Sequence, residues 1–363
     1  MKNSKIFIGI FLTLLIAPMV LFPLISGMID TENHENRAYA EFPDILDNPA
    51  DFPAGFDSWF NDRLPFKNQL KKINSTINLA LFNTTSSARV VVGMDGWLFY
   101  NNYGAENPID DILGKSTFSE EESEIILNNV READSGFAGN GSRFVLMVPP
   151  NKETIYNGQL PNWLGKKITD QTRMDLLYGY LEENGVTICY PKDALLTAKD
   201  EVQLYYLYDT HWNKLGGYIG FRELCGMLDI SLPELQTYKI NKGEGGPRDL
   251  AEISGMGSVY TGDSEYTIDY NSDVSVTSEA YDGYTLFHSD GPENHTVMLV
   301  HDSYYESIID YFTRTFTTVV EVPRNYSDLY GTRYLIDEYT PDIIVMEVVE
   351  RGAGILFREY MPY

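Results

Sequence analysis

The sequence is poor in cysteine and in basic residues. Cys189 and Cys225 are its only cysteines among 363 residues, too few to define a disulfide scaffold; they either pair in an oxidising compartment or remain buried thiols. No C-x-x-C or His/Cys spacing indicates zinc, and we predict neither a metal nor a cofactor. Lysine and arginine total 27 against 53 acidic residues, and the formal net charge of -26 repels phosphate backbones and anionic lipid headgroups. This balance excludes nucleic acid as a partner.

Internal repeats and low-complexity tracts are also absent. With 43% hydrophobic residues, the chain can bury one large core, so we expect a single globular domain with a smaller appendage. The 26 tyrosines are core and surface filler or, where exposed, rings that stack on the apolar faces of sugars.

The amino terminus lacks a clean A-x-A cleavage pattern. Lys2 and Lys5 precede residues 6–29, which carry no charge and are long enough to cross a bilayer. We predict an uncleaved signal anchor with the remaining chain outside the cytoplasmic membrane. Cleavage after about Gly27 is the alternative and leads to the same compartment.

Changes in composition suggest three segments. These are a transmembrane anchor at 1–29, a stalk with helices at 30–89, and a catalytic domain at 90–363. Two β-rich runs around an Asp-Gly turn at 90–100 predict a hairpin that opens this domain. The acidic, glycine-rich span at about 243–293 predicts an insertion or a β-rich loop.

The predicted catalytic domain alternates short apolar runs with amphipathic stretches. Ser119 and Glu122 form a capping-box pattern at the start of the first helix. Short strands that are apolar on both faces predict a parallel sheet covered by helices on both sides. The predicted strands are 144–148, 186–190, 297–300, 317–322 and 343–349, and the predicted helices are 118–137, 170–184, 213–228 and 307–315.

A serine follows one of these strands directly. Residues 297–300 lead to Ser303 just before a helix, a position that exposes a hydroxyl at the sheet edge and aims backbone N–H groups at developing negative charge. An ordinary helix-capping serine is the alternative.

Asp209 and His211 are two residues apart at a second junction before a helix. A serine nucleophile needs a base, and a carboxylate that fixes the tautomer of the imidazole makes this base more effective. A capping aspartate beside an ordinary histidine is the alternative.

Polar residues follow a third strand end. Asn151 can donate a hydrogen bond to an oxyanion, and Lys152 can bind substrate or brace the loop. Capping of a turn is the alternative for both residues.

The motifs together resemble a known family. The D-T-H-W segment at 209–212 resembles the D-x-H-W signature of the DHHW and alginate-acetylation-type SGNH-like proteins, and H-D-S-Y at 301–304 resembles their G-D-S-F nucleophile segment. The acid and base precede the serine, as in the alginate-acetylation type. Weaker matches, which extend the resemblance over most of residues 30–351, are E-N-R at 35–37, G-W-L-F at 96–99, V-P-P-N-K at 148–152 and E-R at 350–351.

This resemblance implies an SGNH-hydrolase-like, flavodoxin-like α/β fold and an extracytoplasmic O-acetyltransferase that acts on a polysaccharide. It implies a Ser303–His211–Asp209 triad, and a membrane-bound O-acyltransferase as the acetyl donor. Arg324 resembles an arginine that follows the nucleophile in the family, and Tyr304 stands where the family has phenylalanine; both are candidates for substrate or oxyanion contacts.

His301 departs from the family pattern, which has glycine at this position. A side chain there disfavours a positive φ. Two rival functions stay open. One is a carbohydrate esterase that uses the same triad. The other, favoured by the His301 substitution and the richness in aromatic residues, is a non-catalytic carbohydrate-binding or envelope-assembly protein.

Overall fold

The computed structural model describes residues 2–28, 38–44, 49–102, 106–325 and 333–358. The E-N-R segment at 35–37 and the last predicted anchor residue, Ile29, lie outside the described residues. The chain divides into two compact units: one comprises Met1–Val92 and Pro247–Thr261, the other Gly93–Gly246 and Gly262–Tyr363. The predicted division into anchor, stalk and catalytic domain stays a prediction.

The chain is built from helices and short strands. The helices are α1 (Lys2–Ile25), α2 (Phe52–Asp62), α3 (Lys67–Phe82), α4 (Pro108–Ile112), α5 (Glu120–Gly139), α6 (Lys152–Ile155), α7 (Arg173–Glu183), α8 (Lys192–Ala198), α9 (Lys214–Met227), α10 (Asp249–Ile253), α11 (Ile309–Thr315), α12 (Arg333–Tyr339) and α13 (Ile355–Arg358). The strands are β1 (Val90–Val92), β2 (Leu98–Tyr100), β3 (Arg143–Met147), β4 (Ile240–Glu244), β5 (Ser264–Ile268), β6 (Val276–Tyr281), β7 (Tyr284–Ser289), β8 (Glu293–His301), β9 (Phe316–Pro323) and β10 (Ile343–Glu347).

A six-stranded sheet in the order β3-β10-β8-β9-β7-β6 forms the centre of the second unit. The first four strands are parallel, and Val345 of β10, which lies between β3 and β8, pairs with both Val145 and Leu299. The hairpin β6–β7 extends this sheet by antiparallel pairing onto β9. The hairpin, together with the antiparallel pair β4–β5, gives the acidic span at 243–293 the strands that its sequence suggested.

The two faces of the parallel strands have separate cores. Side chains with even numbers, such as Leu146 and Met298, pack with α5, α7 and α12 in one hydrophobic cluster. On the other face α11 packs against β9, and Gly220 of α9 lies close to Met147. The α/β fold with helices on both faces therefore agrees with the predicted fold class.

Local patterns predicted the helices better than the strands. The capping box of Ser119 and Glu122 is confirmed at the start of α5. The strand predicted at 186–190 is wrong, because only an isolated parallel bridge joins Cys189 to Met147. The helix predicted at 307–315 is confirmed as α11, which begins two residues later at Ile309, and a 3-10 turn at Ser303–Ser307 precedes it.

The predicted hairpin at 90–100 is present as two strands around a short turn. β1 and β2 flank Met94–Gly96, where Asp95 and Gly96 have φ angles of 52° and 81°. Such left-handed angles are typical of Asp-Gly turns.

The first helix is apolar throughout most of its length. The segment Lys5–Met28 spans 24 residues, long and apolar enough by length and composition to cross a membrane.

Both cysteines, Cys189 and Cys225, are buried free thiols and do not form a disulfide with each other.

Candidate active site

Ser303 lies just beyond the carboxyl end of β8. His301 is the last residue of this strand, and Asp302 is the N-cap of the 3-10 turn Ser303–Ser307. One Asp302 oxygen accepts a hydrogen bond from the Tyr304 N–H at 2.9 Å, and the other accepts one from the Val349 N–H at 2.8 Å. Asp302 therefore does the capping, which leaves the exposed Ser303 hydroxyl available for other contacts.

His301 fits this strand end without the family glycine. It is absent from the described non-glycine residues with positive φ, so its backbone conformation is open to any residue. The buried imidazole contacts Glu321 through Nε2 at 2.5 Å and stacks on Tyr305 with the ring centroids 3.6 Å apart. The substitution therefore fills a buried site beneath the nucleophile segment instead of straining it.

His211 lies in the loop that leads to α9. Trp212 forms an isolated antiparallel β-bridge with Tyr205. Asn213 caps the helix by accepting hydrogen bonds from the N–H groups of Leu215 and Gly216. The N-cap of α9 is therefore Asn213 and not Asp209, for which helix capping was the alternative interpretation.

The structure brings the three predicted catalytic residues together. His211 Nδ1 lies 2.6 Å from Asp209 Oδ1, and His211 Nε2 lies 2.8 Å from the Ser303 hydroxyl oxygen. The backbone N–H of His211 also donates to Asp209 Oδ1 at 3.0 Å, which holds the carboxylate beside the imidazole ring. The side chains of His211 and Asp209 are 23% and 13% exposed, so substrate can approach the histidine while the carboxylate is largely shielded.

These contacts determine which ring nitrogen of His211 carries the proton. An ionised carboxylate only accepts hydrogen bonds, so Asp209 favours the His211 tautomer with its proton on Nδ1. The unprotonated Nε2 then accepts the hydroxyl hydrogen of Ser303. This is the arrangement in which a histidine can act as a general base on a serine.

Trp212 and Tyr304 join the two loops that carry these residues. The indole N–H of Trp212 donates to the Tyr304 carbonyl oxygen at 2.9 Å, and the Tyr304 hydroxyl donates to the Thr210 carbonyl oxygen at 2.7 Å. Ser307 adds a third link by donating to the Trp212 carbonyl oxygen at 2.9 Å. The Tyr304 ring also packs against His211, with the centroids 4.8 Å apart. Together these links hold base and serine in register.

Glycines in α9 allow the helix to approach these loops closely. A β-carbon on Gly217 would lie 2.7 Å from the Ser307 carbonyl oxygen, and one on Gly220 would lie 2.7 Å from the Trp212 ring. Both distances are shorter than a real contact permits, so these two positions require glycine.

Asn151 and Lys152 are buried at the end of β3. The Lys152 ammonium donates to the carbonyl oxygens of Leu98, Leu207 and Asp209 at 2.6 to 2.9 Å. This placement corresponds to the bracing alternative for Lys152 and supports the backbone of the acid residue. The Nδ2 of Asn151 has no hydrogen-bond partner among the described residues, and its role as an oxyanion donor stays a prediction.

The carboxylate of buried Glu350 binds the segment that follows β3. It accepts hydrogen bonds from the Asn151 N–H and the Thr154 hydroxyl, both at 2.7 Å. Burial raises the pKa of Glu350. The adjacent Arg351 donates through Nη1 to the Tyr304 hydroxyl at 3.2 Å.

A cavity of about 230 Å³ opens beside the nucleophile segment. Its polar lining includes Asp302, Arg324 and Arg351, with Tyr100 and Glu106 at its wall. Arg324 therefore lies near the predicted site, as expected for a substrate contact, whereas Tyr304 is fully buried behind His211. Substrate roles for both stay predictions.

Two acidic residues that no sequence motif indicated lie next to the site. Glu347 is fully buried, and its carboxylate accepts a hydrogen bond from the Asp302 N–H at 3.0 Å. Burial, and next the charge of Asp302, raise the pKa of Glu347 well above its usual range. Glu321 pairs with His301 on the same face. An acidic residue inside an otherwise apolar strand is the signal that could have revealed both.

Known proteins share this sequence pattern and fold. A curated relative, the probable alginate O-acetylase AlgJ of Pseudomonas syringae pv. tomato, is 22% identical over 180 residues, and the match covers 49% of this chain and 42% of that protein. The chain thus matches less than half the length of this relative.

Two solved structures resemble the fold. Bacillus cereus PatB1 with a sulfonyl adduct has a TM-score of 0.54 at 12% identity, covering 73% of this chain and 97% of that one. A DHHW family protein from Eubacterium siraeum has a TM-score of 0.52 at 16% identity, covering 76% of this chain and 99% of that one.

The family model described as SGNH hydrolase-like domain, acetyltransferase AlgX, matches residues 90–311, which include the whole Asp209–Ser303 constellation. Because this match spans more than half of the chain, the protein belongs to that family of SGNH hydrolase-like acetyltransferase domains.

Proposed function

We propose that this protein is an extracytoplasmic O-acetyltransferase that modifies a polysaccharide through Ser303, His211 and Asp209. One observation carries the proposal: the continuous chain of contacts from Asp209 to His211 at 2.6 Å and from His211 to Ser303 at 2.8 Å. Family membership supports acetyl as the transferred group, and the name of the AlgJ relative supports a polysaccharide acceptor.

The geometry supports a double displacement. His211 Nε2 takes the Ser303 proton while the serine oxygen bonds to the acetyl carbon of a donor ester, and the proton then passes to the leaving oxygen as its bond to that carbon breaks. A sugar hydroxyl next attacks the acetyl-serine, giving its proton to His211, and Ser303 regains a proton as it leaves. Asp209 stabilises the imidazolium formed in each half-reaction.

The cavity lined by Asp302, the residue before Ser303, supports an acceptor of polar character. Arg324, Arg351 and Glu106 offer charged hydrogen-bonding groups, and Tyr100 offers an aromatic wall. A few polar groups around an aromatic surface are typical of sites that bind sugars.

Replacement of the serine tests the nucleophile. Ser303→Ala should abolish acetyl-enzyme formation from an activated acetyl ester and labelling by a fluorophosphonate, each followed by intact mass. Ser278→Ala, on the distant strand β6, is the matched control and should keep both reactions. Full labelling of the Ser303→Ala protein would refute the assignment. Absence of labelling in the unmodified protein would favour the non-catalytic carbohydrate-binding alternative.

A carbohydrate esterase is the second candidate, because the Ser303 side chain is exposed and water can reach an acetyl-serine. Transfer requires the acceptor hydroxyl to outcompete water. Acetate release should fall, and acetylated glycan should appear, when an unacetylated polysaccharide is added to enzyme and donor. Unchanged acetate release with no acetylated glycan would establish hydrolysis instead.

Helix α1 supports a location at the membrane. Its apolar segment is exposed along its length, as expected for a helix surrounded by lipid, and the basic Lys2 and Lys5 favour a cytoplasmic start. We propose that α1 is an uncleaved anchor and that a membrane-bound O-acyltransferase supplies the acetyl group. Retention of the intact chain in the membrane after alkaline extraction tests the anchor; release of a shorter chain would indicate cleavage.

A further inference from the structure

Helix α3 exposes a row of large apolar side chains. Leu70, Ile73, Ile77 and Leu81 are 61%, 57%, 50% and 69% exposed. Their spacing of three and four residues places them on one side of the helix. Exposure of four neighbouring aliphatic side chains to water is unfavourable, and such a patch is typical of a surface that contacts another molecule or a membrane.

The other side of α3 packs within its own unit. Ser75 is fully buried, and its hydroxyl donates to the Ser254 carbonyl oxygen at 2.7 Å. The Lys71 side chain passes close to Gly255, where an added β-carbon would lie 2.8 Å from Lys71 Cγ. The apolar row therefore faces away from the contacts that hold the helix in place.

The start of α3 touches the end of the apolar first helix. Phe22, in the last turn of α1, contacts Phe66 edge-to-face with the ring centroids 5.4 Å apart. Phe66 is the N-cap of α3 and has a left-handed φ of 61°, which turns the chain into the new helix. If α1 spans a bilayer, this contact holds the start of α3 at the level where the membrane ends.

The charge of α3 differs from that of the whole chain. The helix has Lys67, Lys71 and Lys72 and no acidic residue, whereas the chain has a formal net charge of -26. Lys67 forms an ion pair with Asp62 of α2 at 3.3 Å. A helix with an apolar face and lysines outside it has the composition of helices that lie in the interface of anionic membranes.

Aromatic residues of α2 and of the segment before it are also exposed in this unit. Phe42 is 59% exposed and Phe56 is 40% exposed, and Phe42 packs edge-to-face on Trp59 at 5.0 Å. Trp and Phe are common on the lipid side of segments that lie in a membrane interface.

We propose that α3 lies in the outer membrane–water interface, with Leu70, Ile73, Ile77 and Leu81 in the lipid and its lysines near anionic phospholipid headgroups. This inference rests on the proposed membrane anchor and extends it, because the chain then has a second contact with the bilayer. The anchored chain brings α3 to the surface at high local concentration, so the helix need not bind strongly by itself.

Spin labels on the full-length protein test this arrangement, in vesicles of phosphatidylcholine and phosphatidylglycerol at a ratio of about three to one, close to the anionic content that attracts basic segments. Cys189 and Cys225 are buried, so an introduced cysteine can be labelled selectively. The test position is Ile77→Cys. The matched control is Lys72→Cys, which lies about 140° around the helix at 3.6 residues per turn.

Collision rates with oxygen, which enters lipid, and with a water-soluble nickel complex report the surroundings of each label. The ratio of oxygen to nickel collisions should be severalfold higher at Ile77 than at Lys72. Replacing phosphatidylglycerol with phosphatidylcholine should lower the Ile77 ratio; an unchanged ratio would overturn the role of the lysines. Equal ratios at both positions, or spin–spin broadening between Ile77 labels of two copies, would overturn the interfacial helix.

A third label separates this inference from the anchor proposal. Leu14, 71% exposed in α1, should report a lipid surrounding when it is replaced by labelled cysteine. A lipid-exposed Leu14 with a water-exposed Ile77 means that the anchor stands and the interfacial helix fails. A water-exposed Leu14 means that the anchor itself fails, and the inference falls with it.

Discussion

The indole N–H of Trp212 donates a hydrogen bond to the carbonyl oxygen of Tyr304, with the two atoms 2.9 Å apart. Each residue adjoins a proposed catalytic group: Trp212 follows His211, and Tyr304 follows Ser303. The bond therefore crosses between segments about ninety residues apart and sets the distance between base and nucleophile.

Loss of this bond should affect catalysis more than folding. Trp212→Phe keeps an aromatic ring in the core, and one hydrogen bond contributes about 1 kcal/mol to the free energy of unfolding. We expect kcat for an activated acetyl ester to fall about tenfold, the factor that corresponds to about 1.4 kcal/mol of lost alignment. Trp163→Phe, at a tryptophan that is 64% exposed, is the control and should leave kcat unchanged. A Trp212→Phe enzyme with full kcat would show that the bond is not needed for alignment.

Asp209→Asn should impair catalysis while the fold is kept. The amide can donate to His211 Nδ1 and so favours the tautomer that places a proton on Nε2, toward Ser303. We expect kcat to fall by a factor on the order of a thousand to ten thousand, with KM little changed. Asp310→Asn, on the exposed surface of α11, serves for comparison. Wild-type kcat in the Asp209→Asn protein would remove the carboxylate from the mechanism.

Asp111 should make stability depend on pH. Burial raises the pKa of Asp111 from 3.8 to about 7, although Arg173 lies 3.1 Å away and opposes the shift. The folded state thus holds the proton more tightly than the unfolded state, so this contribution to stability is complete below pH 3.8 and is lost as the pH rises through about 7.

Denaturant titrations at several pH values check this prediction. Between about pH 4 and pH 7 the free energy of unfolding of the unmodified protein should decline relative to that of Asp111→Asn, which cannot titrate. Asp110→Asn, at the neighbouring and more exposed carboxylate, should retain the wild-type slope. Parallel pH profiles for the unmodified and Asp111→Asn proteins would contradict the raised pKa.

His301 and Glu321 should be energetically coupled. They are 4% and 8% exposed, and removal of one partner leaves the other buried and unpaired, at a cost of about 3 to 5 kcal/mol. We expect His301→Ala combined with Glu321→Ala to destabilise the protein by clearly less than the sum of the two single changes. The measurement is a double-mutant cycle by chemical denaturation, and the exposed pair Lys115–Asp110 should show a coupling below about 1 kcal/mol. Additive effects of the two alanines would contradict a buried pair.

Local sequence patterns determined much of the fold and the identity of the candidate residues. Ser119 and Glu122 predict the start of α5 because a capping box involves only residues three positions apart. Ser303 was identifiable because it follows a strand of the parallel sheet directly, at the edge where active sites gather. Asp209 and His211 were identifiable because an acid and a base two residues apart precede a helix. The resemblance of 209–212 and 301–304 to family motifs added the chain order of acid, base and serine.

Only the tertiary structure decided how neighbouring residues share these tasks. Asp302 caps the turn and so leaves Ser303 exposed, while Lys152 donates to carbonyl groups of strand β2 and of the loop that carries Asp209. Residues 186–190 have a strand-like composition but make a single bridge. His301 is accommodated because Glu321, on the neighbouring strand β9, faces it in the core. Such outcomes depend on partners that are far away in the chain, so no local pattern specifies them.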